Sequence, residues 1–265
     1  MDEVIAHYTR VPEDGRLRSG WGTLEQARTQ EIVLRHLSPP PGRVLDVGGG
    51  SGVYSSWLAA LGYEVHLVDL VPAHVEHALA AGLASATVGD ARSLRQANAS
   101  VDAVLLLGPL YHLTDRRDRI AALREARRVL FPGGRLFAAA ISRFASLLDG
   151  LVRGYFDEPS FVPILDRDLL EGQHRNSTGN PDYFTTAYFH LPEDLRAEFQ
   201  DAGFAAVELV AVEGPVWLAR DFPERWADPA RREHLLDLVR RVECEPALLA
   251  ASPHLLTVAV KDGEP

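Results

Sequence analysis

Short apolar runs alternate with amphipathic stretches through the first half of the chain, and the alternation reads as strand, helix, strand. Val44-Leu45-Asp46-Val47 has the length and near-continuous apolarity of a buried strand. It breaks into closely spaced glycines, Gly48-Gly49-Gly50-Ser51-Gly52, after which Val53, Trp57, Leu58 and Leu61 recur at helical spacing. Further strands are predicted at Glu64 to Asp69, Ala86 to Ala91 and Ala103 to Leu107. A charged helix from Arg117 to Leu130 and a Pro132-Gly133-Gly134 turn then lead to a strand from Arg135 to Ile141. Ahead of these lies a helix at 23–37 that opens on Thr23-Leu24-Glu25-Gln26, a capping-box pattern with Thr23 as N-cap. The connector Pro39-Pro40-Pro41-Gly42 separates that helix from the first strand.

Beyond Ile141 the pattern changes. Ser142 to His190 is aromatic and turn-rich, and too long for an ordinary connection. A helix starting near Leu191, a strand from Ala206 to Val212, a mostly helical stretch from Glu224 to Val242 and a strand from Leu255 to Val260 complete the reading. The organisation expected is an N-terminal flap and helix (1–38), the first half of a sheet (39–141), an insertion (142–190) and the C-terminal half of the sheet (191–265).

The glycines fall between a buried strand and a helix N-terminus with free N–H donors, a place for a polar ligand. A dinucleotide fingerprint starting at Gly48 needs its third glycine at 53, where this chain has Val53, so the register is wrong for NAD. Asp46 is expected to brace the turn by accepting loop N–H groups. The second strand ends in Asp69, where an α/β sheet would place a carboxylate beside a ribose diol. The third ends near Asp90, able to accept from an adenine amino group. Two acids at successive strand ends fit an adenosine.

Through VLDVGGGSG, Asp69, the Gly89-Asp90-Ala91 triplet, LLLGPLYHL and RVLFPGGRLF, the chain resembles the class I S-adenosylmethionine-dependent methyltransferases over roughly residues 20 to 141. The resemblance implies an α/β fold: a doubly wound, mostly parallel seven-stranded sheet with an antiparallel last strand, its cofactor-binding Rossmann-like half at 39–141, plus a lid or acceptor-binding insertion at 142–190. It implies S-adenosyl-L-methionine as cofactor, with Gly48, Gly49 and Gly50 under the methionine part. Asp69, with Leu70, would sit on the ribose hydroxyls, Asp90 with Ala91 at the adenine, and Leu107 in the same cofactor set. The N-terminal segment is expected to fold over the cofactor, with Tyr8, Arg18 and Arg28 as closing residues. Arg28 is favoured to pair with the methionine carboxylate, because a guanidinium grips carboxylates bidentately.

Composition narrows the partners. The chain has 265 residues, 46% hydrophobic, with 37 acidic against 27 basic side chains and a formal charge of -10, a balance that disfavours nucleic acid. The paired arginines (Arg116-Arg117, Arg127-Arg128, Arg231-Arg232, Arg240-Arg241) read as solvated helix faces. The single cysteine, Cys244, precludes an intrachain disulfide and a thiolate metal cluster, and with no apolar run long enough to span a membrane the chain reads as cytoplasmic, a monomer or homodimer. Neither histidines nor carboxylates recur at metal-binding spacing, so no metal is predicted.

Among the 10 histidines, His112 is the first choice as base or acceptor-positioning group, with Tyr111 beside it; the alternative is that His112 caps the next helix. His174, His190 and His254 could reach the pocket from the lid or last strand, while His66, His74 and His77 are given structural roles. Tyr8, His174, Tyr183, His190 and Trp217 form the expected acceptor-side set. Tyr155, Tyr183, Tyr188 and Trp217 could alternatively place ring faces around a cationic acceptor or the sulfonium. The leading activity is methylation of a small-molecule acceptor at oxygen or nitrogen. A tRNA-modifying methyltransferase and a non-catalytic S-adenosylmethionine-binding protein are the alternatives.

Overall fold

The computed structural model describes residues 13–263. Parallel strands β1 (Arg43–Val47), β2 (Glu64–Asp69), β3 (Ala86–Val88), β4 (Val101–Leu106) and β5 (Leu130–Ser142) lie in the order β3-β2-β1-β4-β5. Helices Val53–Ala60, Pro72–Ala80 and Arg116–Val129 supply the crossovers. The insertion contributes helices Ala145–Arg153 and Val162–Glu171 and a short antiparallel pair, β6 (Gln173–His174) and β7 (Ala187–His190). Helix Pro192–Asp201 leads to β8 (Val207–Ala211), and β9 (His254–Val260) runs antiparallel to both β5 and β8. The seven-stranded core with its antiparallel last strand thus forms as the resemblance implied, and β7 extends it by pairing with β5 at Ile141 and Ser142, beyond the end of β4.

Alternation along the central strands explains why the sheet is covered on both faces. Leu45, Val47, Val104, Leu106, Leu136 and Ala138 belong to one buried cluster, while Val44, Ala103, Leu105, Phe137 and Ala139 belong to another. Successive side chains of a strand point to opposite faces, so each strand contributes to both layers. Helices Arg116–Val129 and Pro192–Asp201 are joined within the first layer by a buried ion pair in which the Arg119 guanidinium grips Glu198 (2.7 and 2.9 Å).

Two local expectations differ from the structure. The helix Gly22–His36 starts after Trp21 without a side-chain cap, and Thr23 Oγ1 donates to the Gly20 carbonyl instead, at 2.7 Å. Pro132-Gly133-Gly134 does not precede β5 but lies within it: Val101 pairs with Leu130 and Ala103 with Arg135, so the extra residues bulge out of the ladder, with Gly133 at φ +80. The stretch predicted as mostly helical from Glu224 to Val242 is so, as two helices, Phe222–Ala227 and Pro229–Val242, and the Asp228 carboxylate between them caps the second through the N–H groups of Ala230 and Arg231. Among the described residues no helix is long and apolar enough to cross a membrane.

Candidate active site

The main cavity opens at the carboxyl ends of β1 to β4, the crevice in which doubly wound sheets bind ligands. It is walled by the glycine loop after β1, Asp69 to Val71 after β2, Gly89 to Ala91 after β3 and Leu107 to Leu113 after β4. All the residues assigned from sequence to the cofactor set, except Arg28, therefore line one space: Gly48, Gly49, Gly50, Asp69, Leu70, Asp90, Ala91 and Leu107.

The loop needs its glycines for two separate reasons. Gly50 has φ +58, and a Cβ built there would meet nothing, so that face of the backbone is open to a ligand. At Gly49 a Cβ would lie 2.6 Å from Asp46 Oδ2 and 2.9 Å from Leu67 Cδ1, so this position is closed from beneath. Asp46 is buried, and its Oδ2 accepts the Ser55 hydroxyl at 2.6 Å. The brace it provides therefore ties β1 to helix Val53–Ala60 rather than to the loop N–H groups. Burial pushes Asp46 up to about 6 against the pull of the Ser55 bond, and the charge of Asp69 adds to the rise.

Asp69 accepts from the backbone N–H of Gly50 (2.9 Å) through Oδ2 and from that of Val71 (2.8 Å) through Oδ1. His74 Nδ1 lies 3.1 Å from Oδ1. His74, assigned a structural role from sequence, thus also stands in the cavity wall. A carboxylate accepts at about four positions, so the Oδ2 side keeps room for a ligand hydroxyl. Asp90 is gripped by the Arg92 guanidinium (2.7 and 3.1 Å), whose hydrogen bonds hold its carboxyl below the usual range, and it remains partly exposed at the cavity wall.

Arg28 is a correction. Its side chain is fully buried and bound to Glu243, to Glu31 (2.8 Å) and to the Val212 carbonyl (3.2 Å), and it does not line the cavity. Glu25 and Thr29 of its helix share the cavity wall with the glycine loop, but this arginine faces the C-terminal half, where Glu243 and the Val212 carbonyl hold it. Arg18 is exposed and away from the cavity walls, whereas Arg16 lines them. Tyr8 lies outside the described residues.

A second and larger cavity, ≈ 480 Å³ against ≈ 160 Å³, adjoins the first. The insertion supplies Phe161, His174, Tyr183, Phe184 and Phe189 to its wall, and Trp217 comes from the turn after β8. Trp217 packs edge-on against Trp21 and donates from Nε1 to the Ala251 carbonyl at 3.0 Å. His174 is held at both nitrogens, by Asp168 and the Tyr183 carbonyl, each at 2.7 Å. That leaves its ring to shape the wall rather than to exchange protons. The Tyr183 hydroxyl donates to Glu158.

His190 is a second correction: it is fully buried beside Glu198 and Tyr188, away from both cavities. Burial pushes its imidazole below the ordinary histidine value. Nor do Tyr155 and Tyr188 join an aromatic cage. Tyr155 packs on Phe161 and Tyr183, and the Arg119 guanidinium lies 3.8 Å above the Tyr188 ring.

His112 and Tyr111 sit on the short helix Pro109–His112 and both line the main cavity. His112 stacks on Phe184 of the insertion (5.8 Å) and places Nδ1 3.1 Å from the Thr186 carbonyl. The next helix is capped by Asp115, whose carboxylate accepts the Arg117 N–H at 2.7 Å, so the capping role considered for His112 belongs to Asp115.

Where the two cavities meet, they share Arg16, Glu25, Tyr111 and His254. His254 Nδ1 lies 2.6 Å from Glu213 Oε1 and 3.7 Å from Glu25 Oε2. Arg16 makes a two-pronged bond to Glu25. Burial opposes ionisation of both partners, yet Glu25 and Glu213 hold His254 up at about 9, and His254 and Arg16 hold Glu25 down at about 2. Glu25, Glu213 and His254 offer ligand atoms within 4.8 Å of one another, a cluster that no spacing in the chain signalled.

A doubly wound parallel sheet, closed by an antiparallel strand and carrying its cavity at the glycine loop, defines a Rossmann-like methyltransferase fold. A family described as "Methyltransferase domain" matches residues 45–138. The ubiquinone biosynthesis O-methyltransferase of Xanthomonas axonopodis pv. citri is 37% identical over 208 residues, covering 76% of this chain and 74% of that protein. The malonyl-[acyl-carrier protein] O-methyltransferase of Methylococcus capsulatus is 38% identical over 112 residues, 39% of this chain and 38% of that protein. Against other curated relatives the chain spans about half their length, 48%. Among solved structures, a Thermotoga maritima protein described as a possible histamine N-methyltransferase superposes with TM-score 0.60 at 20% identity, covering 99% of this chain and 100% of that one. The chain belongs to the class I S-adenosylmethionine-dependent methyltransferases, and S-adenosyl-L-methionine is its cofactor.

Proposed function

We propose that the chain methylates a small-molecule acceptor, with the cofactor in the main cavity and the acceptor in the adjoining one. The observation that carries this reading is the junction: the glycine-loop cavity and the aromatic cavity share Arg16, Glu25, Tyr111 and His254, so ligands in the two would meet there. The open face at Gly50 and the acids at two strand ends fit the cofactor's parts. Gly48, Gly49 and Gly50 would lie against its methionine end, Asp69 with Leu70 would hold the ribose, Asp90 with Ala91 would meet the adenine, and Leu107 would complete the wall.

When bound, the cofactor supplies a sulfonium methyl for in-line displacement. The protein's own contribution is alignment and exclusion of water, which can account for much of the rate of such a displacement. Tyr111 stands between the cavities and would set the acceptor's approach. His112 would position the acceptor, steadied by the Thr186 carbonyl and the Phe184 ring. Tyr183, His174 and Trp217 would shape the far wall, making residues 142–190 the acceptor-binding lid on a cofactor-binding half at 39–141. Oxygen is the favoured atom, since the two curated relatives named above are both O-methyltransferases.

The test is incubation with methyl-deuterated S-adenosylmethionine and two fractions of a host extract, small metabolites and total tRNA, followed by mass spectrometry. Label in a metabolite is the expected result. Label confined to tRNA nucleosides would refute the small-molecule reading.

A further inference from the structure

The junction cluster has a property that cofactor binding does not use. His254 opens β9 and lines both cavities. Its Nδ1 faces two carboxylates, Glu213 Oε1 at 2.6 Å and Glu25 Oε2 at 3.7 Å, so Nδ1 must carry hydrogen. Its Nε2 has no hydrogen-bond partner among the described residues.

Glu213 is itself fixed. Its Oε2 accepts from Ser252 Oγ (2.8 Å) and from the His254 backbone N–H (3.1 Å), and Ser252 Oγ accepts the N–H groups of Glu213 and Gly214 (3.0 and 3.1 Å). The ring orientation is therefore set by a rigid buried acid, the arrangement that directs the far nitrogen of an imidazole at a ligand.

We propose that His254, clamped by Glu213 and Glu25, donates a hydrogen bond from Nε2 to an acceptor oxygen that arrives as an anion, a phenolate or carboxylate, and so selects oxygen acids over amines. The proposal rests on the reading that the adjoining cavity holds the acceptor. The charged groups that face the ring are Glu213 from the turn after β8, Glu25 from helix Gly22–His36 and Arg16 from helix Glu13–Leu17. Against the effect of burial the two carboxylates keep the ring cationic to about 9, with Arg16 acting the other way. A cation beside a phenol favours its ionised form. The acceptor oxygen then forms its bond to the methyl carbon while the carbon–sulfur bond breaks and its electron pair stays on sulfur; having arrived without its proton, the oxygen has none to lose. An amine acceptor would meet a cationic donor where its lone pair needs to be free.

The test uses the whole chain with S-adenosylhomocysteine bound and 4-nitrophenol as probe, because its ionised form is coloured. Titration of the bound probe against pH is expected to show an ionisation constant at least tenfold larger than in water. In His254→Gln that gain is lost to within twofold. His254→Asn, whose amide keeps the bond to Glu213 and lacks Nε2, serves as the second variant. Retained thermal stabilisation by S-adenosylhomocysteine verifies the fold of each. Failure of the wild-type protein to bind S-adenosylhomocysteine would overturn the cofactor reading. Normal S-adenosylhomocysteine binding with a probe that stays unbound or ionises as in water overturns this proposal alone. So does a colour gain unchanged in both variants. A gain that appears only on adding Mg²⁺ overturns it in favour of a cation held by the same three side chains.

Discussion

Replacing Asp69 by Asn keeps the volume of the side chain and removes its charge at the point where the loop and the cofactor's ribose are proposed to meet. The carboxylate accepts the Gly50 N–H on one oxygen and the Val71 N–H on the other. An amide has one acceptor oxygen, so one of these N–H groups will face an NH₂ group instead. A buried donor left without its partner costs about 1–3 kcal/mol. In a chain of this size that lowers the melting temperature by roughly 2–12 °C. Three of about four acceptor positions are taken when His74 is counted, leaving one for a ribose hydroxyl without rearrangement. A hydrogen bond to a charged group contributes about 1.5–3 kcal/mol, so the affinity for S-adenosylmethionine should fall by roughly 10- to 150-fold. Calorimetric titration measures the affinity and a thermal scan the stability. Affinity within threefold of wild type, with the predicted loss of stability, would show that Asp69 braces the loop and holds no ribose.

Gly50→Val should abolish cofactor binding, because its side chain would enter the open face of the loop at φ +58; retained affinity in the same titration would reject that placement. His112→Ala is expected to leave cofactor affinity unchanged while lowering turnover by about 100-fold, the loss that a misplaced acceptor brings; unchanged kcat would remove His112 from the acceptor site. Arg28→Met should act on stability and not on cofactor affinity, since it leaves Glu243 with Arg35 as its remaining partner; losing a hydrogen bond between charged groups costs about 1.5–3 kcal/mol, readable as a lower urea midpoint. Because His254 is raised from 6.5 to about 9, the stability it contributes is complete below about 6.5 and is lost as pH rises through about 9. His254→Gln should therefore flatten the melting temperature between those two values, and an unchanged slope would contradict the clamp.

The cofactor half was legible in the chain because its signals are local. An apolar run, a glycine loop and a strand-ending acid each lie within a few residues, and β1 to β5 place them in one crevice by a topology with few alternatives. The antiparallel closure by β9 likewise followed from the family resemblance carried by those motifs. The direction of individual helix side chains was not legible. Nothing near Arg28 announces that Glu243 waits across the fold, or that Arg16, rather than Arg18 or Arg28, reaches the cavities. His190 carried no sign that Glu198 and Tyr188 would enclose it. The junction is the clearest case. Glu25, Glu213 and His254 stand far apart in sequence, on helix Gly22–His36, the turn after β8 and the first residue of β9. Sequence patterning determines which elements form and which faces they bury, since both depend on neighbours within a few residues. Only packing those elements together decides which charges meet, because that depends on distances across the fold that no local period encodes.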